Sequence, residues 1–301
     1  MALSESRKQK LQMLLKSVSR GDLAEAKESL RAADEEGRVQ AAAGAPIAFA
    51  PVALVEACPG REAAAVTAAG PIDYWLISRT LQDVSPDCLT AQRDFAAVMR
   101  GARQRFDELA ASAALCHVAD ALPEDVLFMD TETCGLAGAM IFLVGLMYYA
   151  DGQLVFEQHL ARNYAEEPGV LAAFAERLTA AGALVTFNGK AFDMTLIRER
   201  SAFHSVALPD KAPPHLDLLH ESRRRWRGQV PNCKLQTLER HFCGRNRVGD
   251  IPGAMIPEAY HAFVRSGDAR RLADILHHNL LDLLTMAELL TALLTNCHVA
   301  E

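Results

Sequence analysis

The chain of 301 residues has no apolar run that reaches the ~18 to 20 residues a bilayer-crossing helix needs, so no membrane span is expected. Its charged start, Ser4-Glu5-Ser6-Arg7-Lys8-Gln9-Lys10, is followed by neither a long apolar segment nor a small-residue cleavage site, the two marks of a secretory leader. A cysteine framework is also missing. The seven cysteines are odd in number and irregularly spaced, which argues against a disulfide scaffold and fits a reducing compartment. Cys233, His241 and Cys243 come with no Cys-x-x-Cys pair and no fourth ligand, so a structural zinc is not expected. These absences together point to the cytoplasm. Excess positive charge is lacking too: a net charge of -7 argues against the uniformly basic surface of a tight, sequence-indifferent nucleic-acid binder. What is present is ordinary for a globular chain. Half the residues are apolar and 23% are charged, enough to bury a core in one large domain or two.

The texture changes along the chain. Residues 9–18 and 23–33 carry apolar side chains at three- and four-residue spacing, with Ser19-Arg20-Gly21-Asp22 between them as turn and cap, which predicts a helical hairpin. Residues 41–70 are rich in Ala, Gly and Pro, with short strands expected near 47–53 and 64–67. A helix over 95–114 leads to a junction at Leu122-Pro123-Glu124-Asp125. Residues 1–120 are therefore expected to form a mainly helical N-terminal region, and 121–301 a separate domain. In that second part, strands are expected at 126–130, 140–149 and 153–160, the last two joined by the turn Asp151-Gly152. A helix at 168–181, a strand at 183–187, a helix at 194–200 and a long amphipathic segment at 269–294 follow. Hairpin-linked strands succeeded by alternating helices and strands indicate an α/β class with a mixed sheet flanked by helices.

Acidic residues stand at the ends of these apolar runs. Asp130 and Glu132 close Val126-Leu127-Phe128-Met129, and side chains at i and i+2 of a strand share a face. Two like charges ~4 Å apart repel by about 4 kcal/mol at an effective dielectric near 20, so a fold that holds them together usually does so for a divalent cation. The run 183–187 is followed by Asn188-Gly189-Lys190-Ala191-Phe192-Asp193; the Asn-Gly turn puts Asp193 near a helix start, at the carboxyl end of its strand. The last amphipathic segment carries His277, His278 and Asp282.

With these pieces in order, the chain resembles the ribonuclease H-like exonucleases whose metal-binding acids are Asp, Glu, Asp and Asp. More closely it resembles their YprB-like branch, through Phe128-Met-Asp-Thr-Glu-Thr-Cys-Gly-Leu136, Phe142-Leu-Val-Gly-Leu146, Val185-Thr-Phe-Asn-Gly-Lys-Ala-Phe-Asp193, His215-Leu-Asp-Leu-Leu219, Asp250-Ile-Pro-Gly253 and His278-Asn279. The likeness covers about residues 120 to 295. It implies a ribonuclease H-like fold and a metal-dependent nuclease, 3′-5′ on single strands of DNA or RNA. Asp130, Glu132, Asp193 and Asp282 would hold two divalent cations, Mg²⁺ or Mn²⁺, the metals that suit hard oxygen ligands. Asp217 is a lesser candidate, since it could equally hold local structure. A structure-specific endonuclease with the same acids, an idle nucleic-acid-binding module and a partner-docking protein are the alternatives; the intact acidic set speaks against the idle module.

In the wider group one branch has His five residues before the last Asp, as His277 is, and another has Tyr four before, where His278 stands. Residues i and i+4 of a helix differ by 40° in phase and i and i+5 by 140°, so a helix running from about 269 puts His278 on the face of Asp282. His278 is thus the expected general base, histidine being the side chain type suited to proton transfer near neutral pH. Thr131, Gly135 and Leu136 are expected, by resemblance, to cradle the terminal nucleotide, with Asn188 and Lys190 placed to meet phosphate. Many relatives have Thr where this chain has Cys134, and the short Ala137-Gly138-Ala139 link bears on the pocket's shape. Arg223-Arg224-Arg225-Trp226-Arg227 reads either as a solvated helix face or as a phosphate-contacting patch with Arg224 and Arg225 at its centre. Trp226 would there be a stacking surface or a core anchor, and Lys234, Arg245 and Arg247 add charge downstream.

Overall fold

A computed structural model describes residues 50–85, 89–105, 112–135 and 139–295. The expected hairpin at 9–33 and Leu136 lie outside these residues. In chain order the elements are α1 (Leu54–Ala57), β1 (Arg61–Thr67), β2 (Gly70–Thr80), α2 (Leu81–Val84), α3 (Leu89–Arg105), α4 (Ala113–Ala119), β3 (Val126–Thr133), β4 (Ile141–Ala150), β5 (Gln153–Leu160) and α5 (Glu167–Ala180). Then come β6 (Ala183–Thr186), α6 (Asp193–His204), β7 (His215–Asp217), α7 (Leu218–Trp226), α8 (Leu235–Leu238), α9 (Ile256–Ser266) and α10 (Arg270–Thr295).

The seven strands form one mixed sheet in the order β1-β2-β5-β4-β3-β6-β7. β3 runs antiparallel to β4 and parallel to β6, so it is the line along which the sheet changes from hairpins to crossovers. Its first four residues are all buried, as a central strand covered on both faces requires. Alternation sends Leu127 and Met129 into the core beneath α5, and Val126 and Phe128 into a second core shared with α3 and α10. Asp130, in phase with Phe128, emerges toward α10, a 26-residue helix with a buried stripe at Leu272, Ile275, Leu276, Asn279, Leu280 and Leu283.

The α/β class and mixed sheet match the expectation, and the strands from β3 to β6 lie within a few residues of their expected ranges. The N-terminal half differs. The strand expected near 64–67 is β1, but residues 70–80, expected within a mainly helical region, form β2, and the two make a β-ribbon: β1 pairs with β2, and β2 with β5, in the same sheet. A division at residue 120 therefore falls inside one compact unit, Pro51–Glu301. The physical reason is legible afterwards. β2 buries four consecutive residues, Tyr74 to Ile77, a run without alternation, and β1 reads Glu62-Ala63-Ala64-Ala65-Val66, with too little side-chain contrast to mark where the strand begins. Residues 50–53 form no strand.

Candidate active site

Three elements bring the acids together. β3 supplies Asp130 and Glu132 just before the register with β4 shifts at Glu132/Thr133, an irregularity of the kind that re-aims side chains at a strand end. α6 supplies Asp193 as its first residue. The turn ahead of it is clamped by Asp217, whose carboxylate accepts the backbone N–H of Asn188 at 2.7 Å, of Lys190 at 3.1 Å and of Leu219 at 3.1 Å. Asn188 takes φ 66°, a left-handed turn conformation that Asn tolerates. Gly189 packs so close that a Cβ there would lie 2.6 Å from the Thr186 side chain. Asp217 thus spends its oxygens on local structure and caps α7. Thr131 donates its hydroxyl to Asp193, linking the second segment to the first.

The third element is α10, which already runs from Arg270 and so puts His278, but not His277, on the helix face of Asp282. His278 Nε2 lies 3.6 Å from Asp282 Oδ2, and its Nδ1 lies 2.8 Å from Asp250 Oδ1. His277 is exposed. Arg247, 4% exposed, reaches Asp282 Oδ1 at 2.6 Å, Glu239 Oε2 at 2.7 Å and Asp250 Oδ2 at 3.3 Å. Asn279 donates to Asp130 Oδ2 at 2.9 Å.

The electrostatics follow from crowding. Burial first, then the charges of Asp282, Glu132 and Asp193, pushes the Asp130 carboxyl well above the usual carboxylate range. Glu132 is raised well above it too, by burial and then by Asp282, Asp193 and Asp250. For Asp193, burial outweighs the hydrogen bond from Thr131, and for Asp282 it outweighs Arg247 and His278, so both are raised. Four buried acids of raised proton affinity, with one buried guanidinium among them, are a donor set of hard oxygens short of positive charge, which fits divalent cations. Among the described residues no three His, Cys, Asp or Glu side chains already converge at metal-ligand spacing. Thr131, Asn279 and Arg247 each engage one oxygen of an acid instead.

Beside the acids an open cavity of ≈ 410 Å³ is lined by Thr131, Glu132, Thr133, Gly135, Gly253, Ala254, Ile256 and Pro257. Gly135 has φ +148°, which a side chain would strain, and its carbonyl accepts the Thr133 hydroxyl at 2.6 Å. Lys190 is exposed at the turn before Asp193.

The basic run divides. Trp226 is 3% exposed and stacks on Phe242 at 4.0 Å, so it anchors the core and offers no face to a base. Arg245 and Arg247 do not extend a phosphate patch: both are consumed by Glu239, a carboxylate only 1% exposed, and further by Glu288 and Asp282 respectively. Arg224 is bound to Glu221 at 2.7 Å, one helical turn away, and Arg225 is part-buried. Arg223 and Arg227 line a separate cavity of ≈ 240 Å³ with Asn232 and Cys233.

Asp250 and Asn279 carried no expected role although both stand in motifs, and Arg247 was expected among the phosphate-facing charges. The contacts that give them roles, Asp250 with His278, Asn279 with Asp130 and Arg247 with Asp282, span 28 to 149 residues, a separation no local pattern encodes.

Residues 127–294 match the family model of the RNase_H superfamily, more than half of the chain, and the chain belongs to that superfamily. Divalent metal ions are general to that superfamily. A stretch of 170 residues is 35% identical to the uncharacterized protein YprB of Bacillus subtilis (strain 168), covering 55% of this chain and 41% of the relative. The chain thus spans about two fifths of that relative's length. Among solved structures, the family B DNA polymerase of Pyrobaculum calidifontis superposes with a TM-score of 0.44 at 17% identity, over 55% of this chain and 24% of the polymerase, too distant a match to bear on activity.

Proposed function

We propose that this protein is a cytoplasmic, divalent-cation-dependent nuclease that trims single-stranded nucleic acid from the 3′ end by a two-metal-ion mechanism. The observation that carries the reading is the gathering of Asp130, Glu132, Asp193 and Asp282 from three elements into one buried site, where burial raises the proton affinity of all four, the other acids raise that of Asp130 and Glu132 further, and a cation would relieve the cluster. The exonuclease direction is supported by the likeness to the Asp-Glu-Asp-Asp group. Two Mg²⁺ or Mn²⁺ ions bound to these acids would supply charge stabilisation at the attacking and leaving oxygens of the phosphodiester.

The chain's own side chains do the rest. Asp250 holds His278 through Nδ1, which turns Nε2 toward Asp282 and leaves that nitrogen to take a proton from the attacking water. Thr131 and Gly135 shape the cavity for the terminal nucleotide, and Lys190 stands ready for a phosphate. End-labelled single-stranded and duplex DNA and RNA, incubated with Mg²⁺ or Mn²⁺, test the proposal. A ladder shortening from the 3′ end supports it; discrete internal cuts would point to an endonuclease, and no cleavage of any substrate rejects it.

A further inference from the structure

Behind Asp130 lies a row of three residues across the sheet. Asp130 on β3 pairs with Gly145 on β4, and Gly145 pairs with Gln158 on β5. The middle position has no side chain, and Asn279 from α10 fills the gap: a Cβ at Gly145 would lie 2.0 Å from Asn279 Oδ1 and 2.6 Å from its Cγ and Nδ2. Asn279 is fully buried and Gln158 is 1% exposed. The Gln158 amide donates both of its protons, one to the Leu276 carbonyl at 2.8 Å and one to Asn279 Oδ1 at 2.9 Å. An amide whose oxygen is committed in this way can present only its NH₂ on the other side, and there it meets Asp130 Oδ2 at 2.9 Å.

We infer that Asn279 is a positioning residue for Asp130: the Gln158-Asn279 relay, admitted by the missing side chain of Gly145, fixes one Asp130 oxygen as an acceptor and thereby aims the carboxylate at its cation. The inference rests on the reading of Asp130 as a metal ligand. It goes beyond that reading in assigning the aim of the ligand to an uncharged helix residue and a strand glycine. Hydrogen-bond partners that orient a ligating carboxylate change metal affinity by about 10- to 100-fold when removed. Truncating Asn279 leaves Gln158 its Leu276 bond but takes one partner from Gln158 and one from Asp130, so metal affinity, which only the Asp130 contact touches, separates the two losses.

The test is Mn²⁺ binding by titration calorimetry to the full chain and to Asn279→Ala, Gly145→Ala, the double variant and Asp130→Ala, with unfolding temperatures recorded for each without metal. Asn279→Ala and Gly145→Ala should each weaken binding about tenfold. The double variant should be no worse than the weaker single, because both act through one amide. In cleavage assays both singles should lower kcat with KM nearly unchanged. Wild-type Mn²⁺ affinity in a folded Asn279→Ala overturns the inference, and so does a multiplicative loss in the double variant. A lower unfolding temperature with unchanged affinity would mean that Asn279 merely packs. If Gly145→Ala does not fold, Asn279→Ala decides alone. If Asp130→Ala binds Mn²⁺ as the wild type does, the acid cluster itself is misassigned, an outcome distinct from failure of the relay.

Discussion

Asp130→Ala and Asp193→Asn each remove a carboxylate oxygen set while taking away little apolar contact, so both proteins should fold and both should lose hydrolysis; wild-type rates in the two variants would disqualify the site. The histidines separate more finely. His278 faces Asp250 and Asp282, whereas His277 is exposed, so His278→Ala should lower the single-turnover rate by about 10² to 10⁴ with metal affinity retained, and His277→Ala should cost far less. Rates measured across about pH 6 to 9 decide it, and a larger loss in His277→Ala reverses the assignment. His215 offers a residue-scale prediction about stability. Burial, then the charge of Lys190, lowers its pKa from 6.5 to about 4 while it sits against the Thr186 hydroxyl at 2.8 Å. Between those values the unfolded chain binds the proton and the folded chain does not, so stability declines as pH falls from about 6.5 toward 4, by at most ~1.4 kcal/mol per pH unit. Denaturant unfolding of His215→Asn should show a flatter slope in that window; an unchanged slope would assign the acid sensitivity elsewhere.

At the level of elements, what was legible is what short-range periodicity and turn chemistry encode. The apolar run 126–129 announces a central strand, Asp151-Gly152 a hairpin, and the phase between 278 and 282 a shared helix face. Of the ribbon, β1 was expected near 64–67, whereas β2 escaped because its buried run, Tyr74 to Ile77, shows no alternation between faces. The loop before α9 escaped because Arg247 and Asp250 are chosen by partners on α10 that only the fold brings near. The basic run on α7 shows the same limit: its composition was plain, but burial of Trp226 and pairing of Arg224 with Glu221 are tertiary and local facts that composition does not contain. Arg223 and Arg227 are exposed and share a cavity, so they are the arginines to neutralise. If they meet phosphates, removing both should raise the apparent KM and lower its salt dependence by about 0.7 per lost contact on a single strand, with kcat nearly constant. An unaltered KM at low salt would make this a solvated face.

At the scale of the whole molecule, the acids arrive on three elements separated by some 60 to 90 residues, and the sheet, α6 and α10 must all be in place before their charges meet. The repulsion among Asp130, Glu132, Asp193 and Asp282 is therefore a property of the folded chain alone: unfolding separates the charges and relieves it. A cation that binds only the assembled cluster stabilises the native state by RT ln(1 + [L]/Kd), about 2.7 kcal/mol at a hundredfold excess over Kd. Thermal unfolding of the wild type should accordingly shift upward with added Mg²⁺ or Mn²⁺. Asp130→Ala should differ from the wild type on both counts. Without metal it should unfold at or above the wild-type temperature, since one of the mutually repelling charges is gone, and with metal it should gain less, since a ligand is gone too. Calorimetric scans of both proteins with and without Mn²⁺ give the two differences in one experiment. Equal metal-induced shifts would place the bound ions away from Asp130, and a marked loss of metal-free stability in the variant would show that its hydrogen bond from Asn279 outweighs the repulsion it suffers.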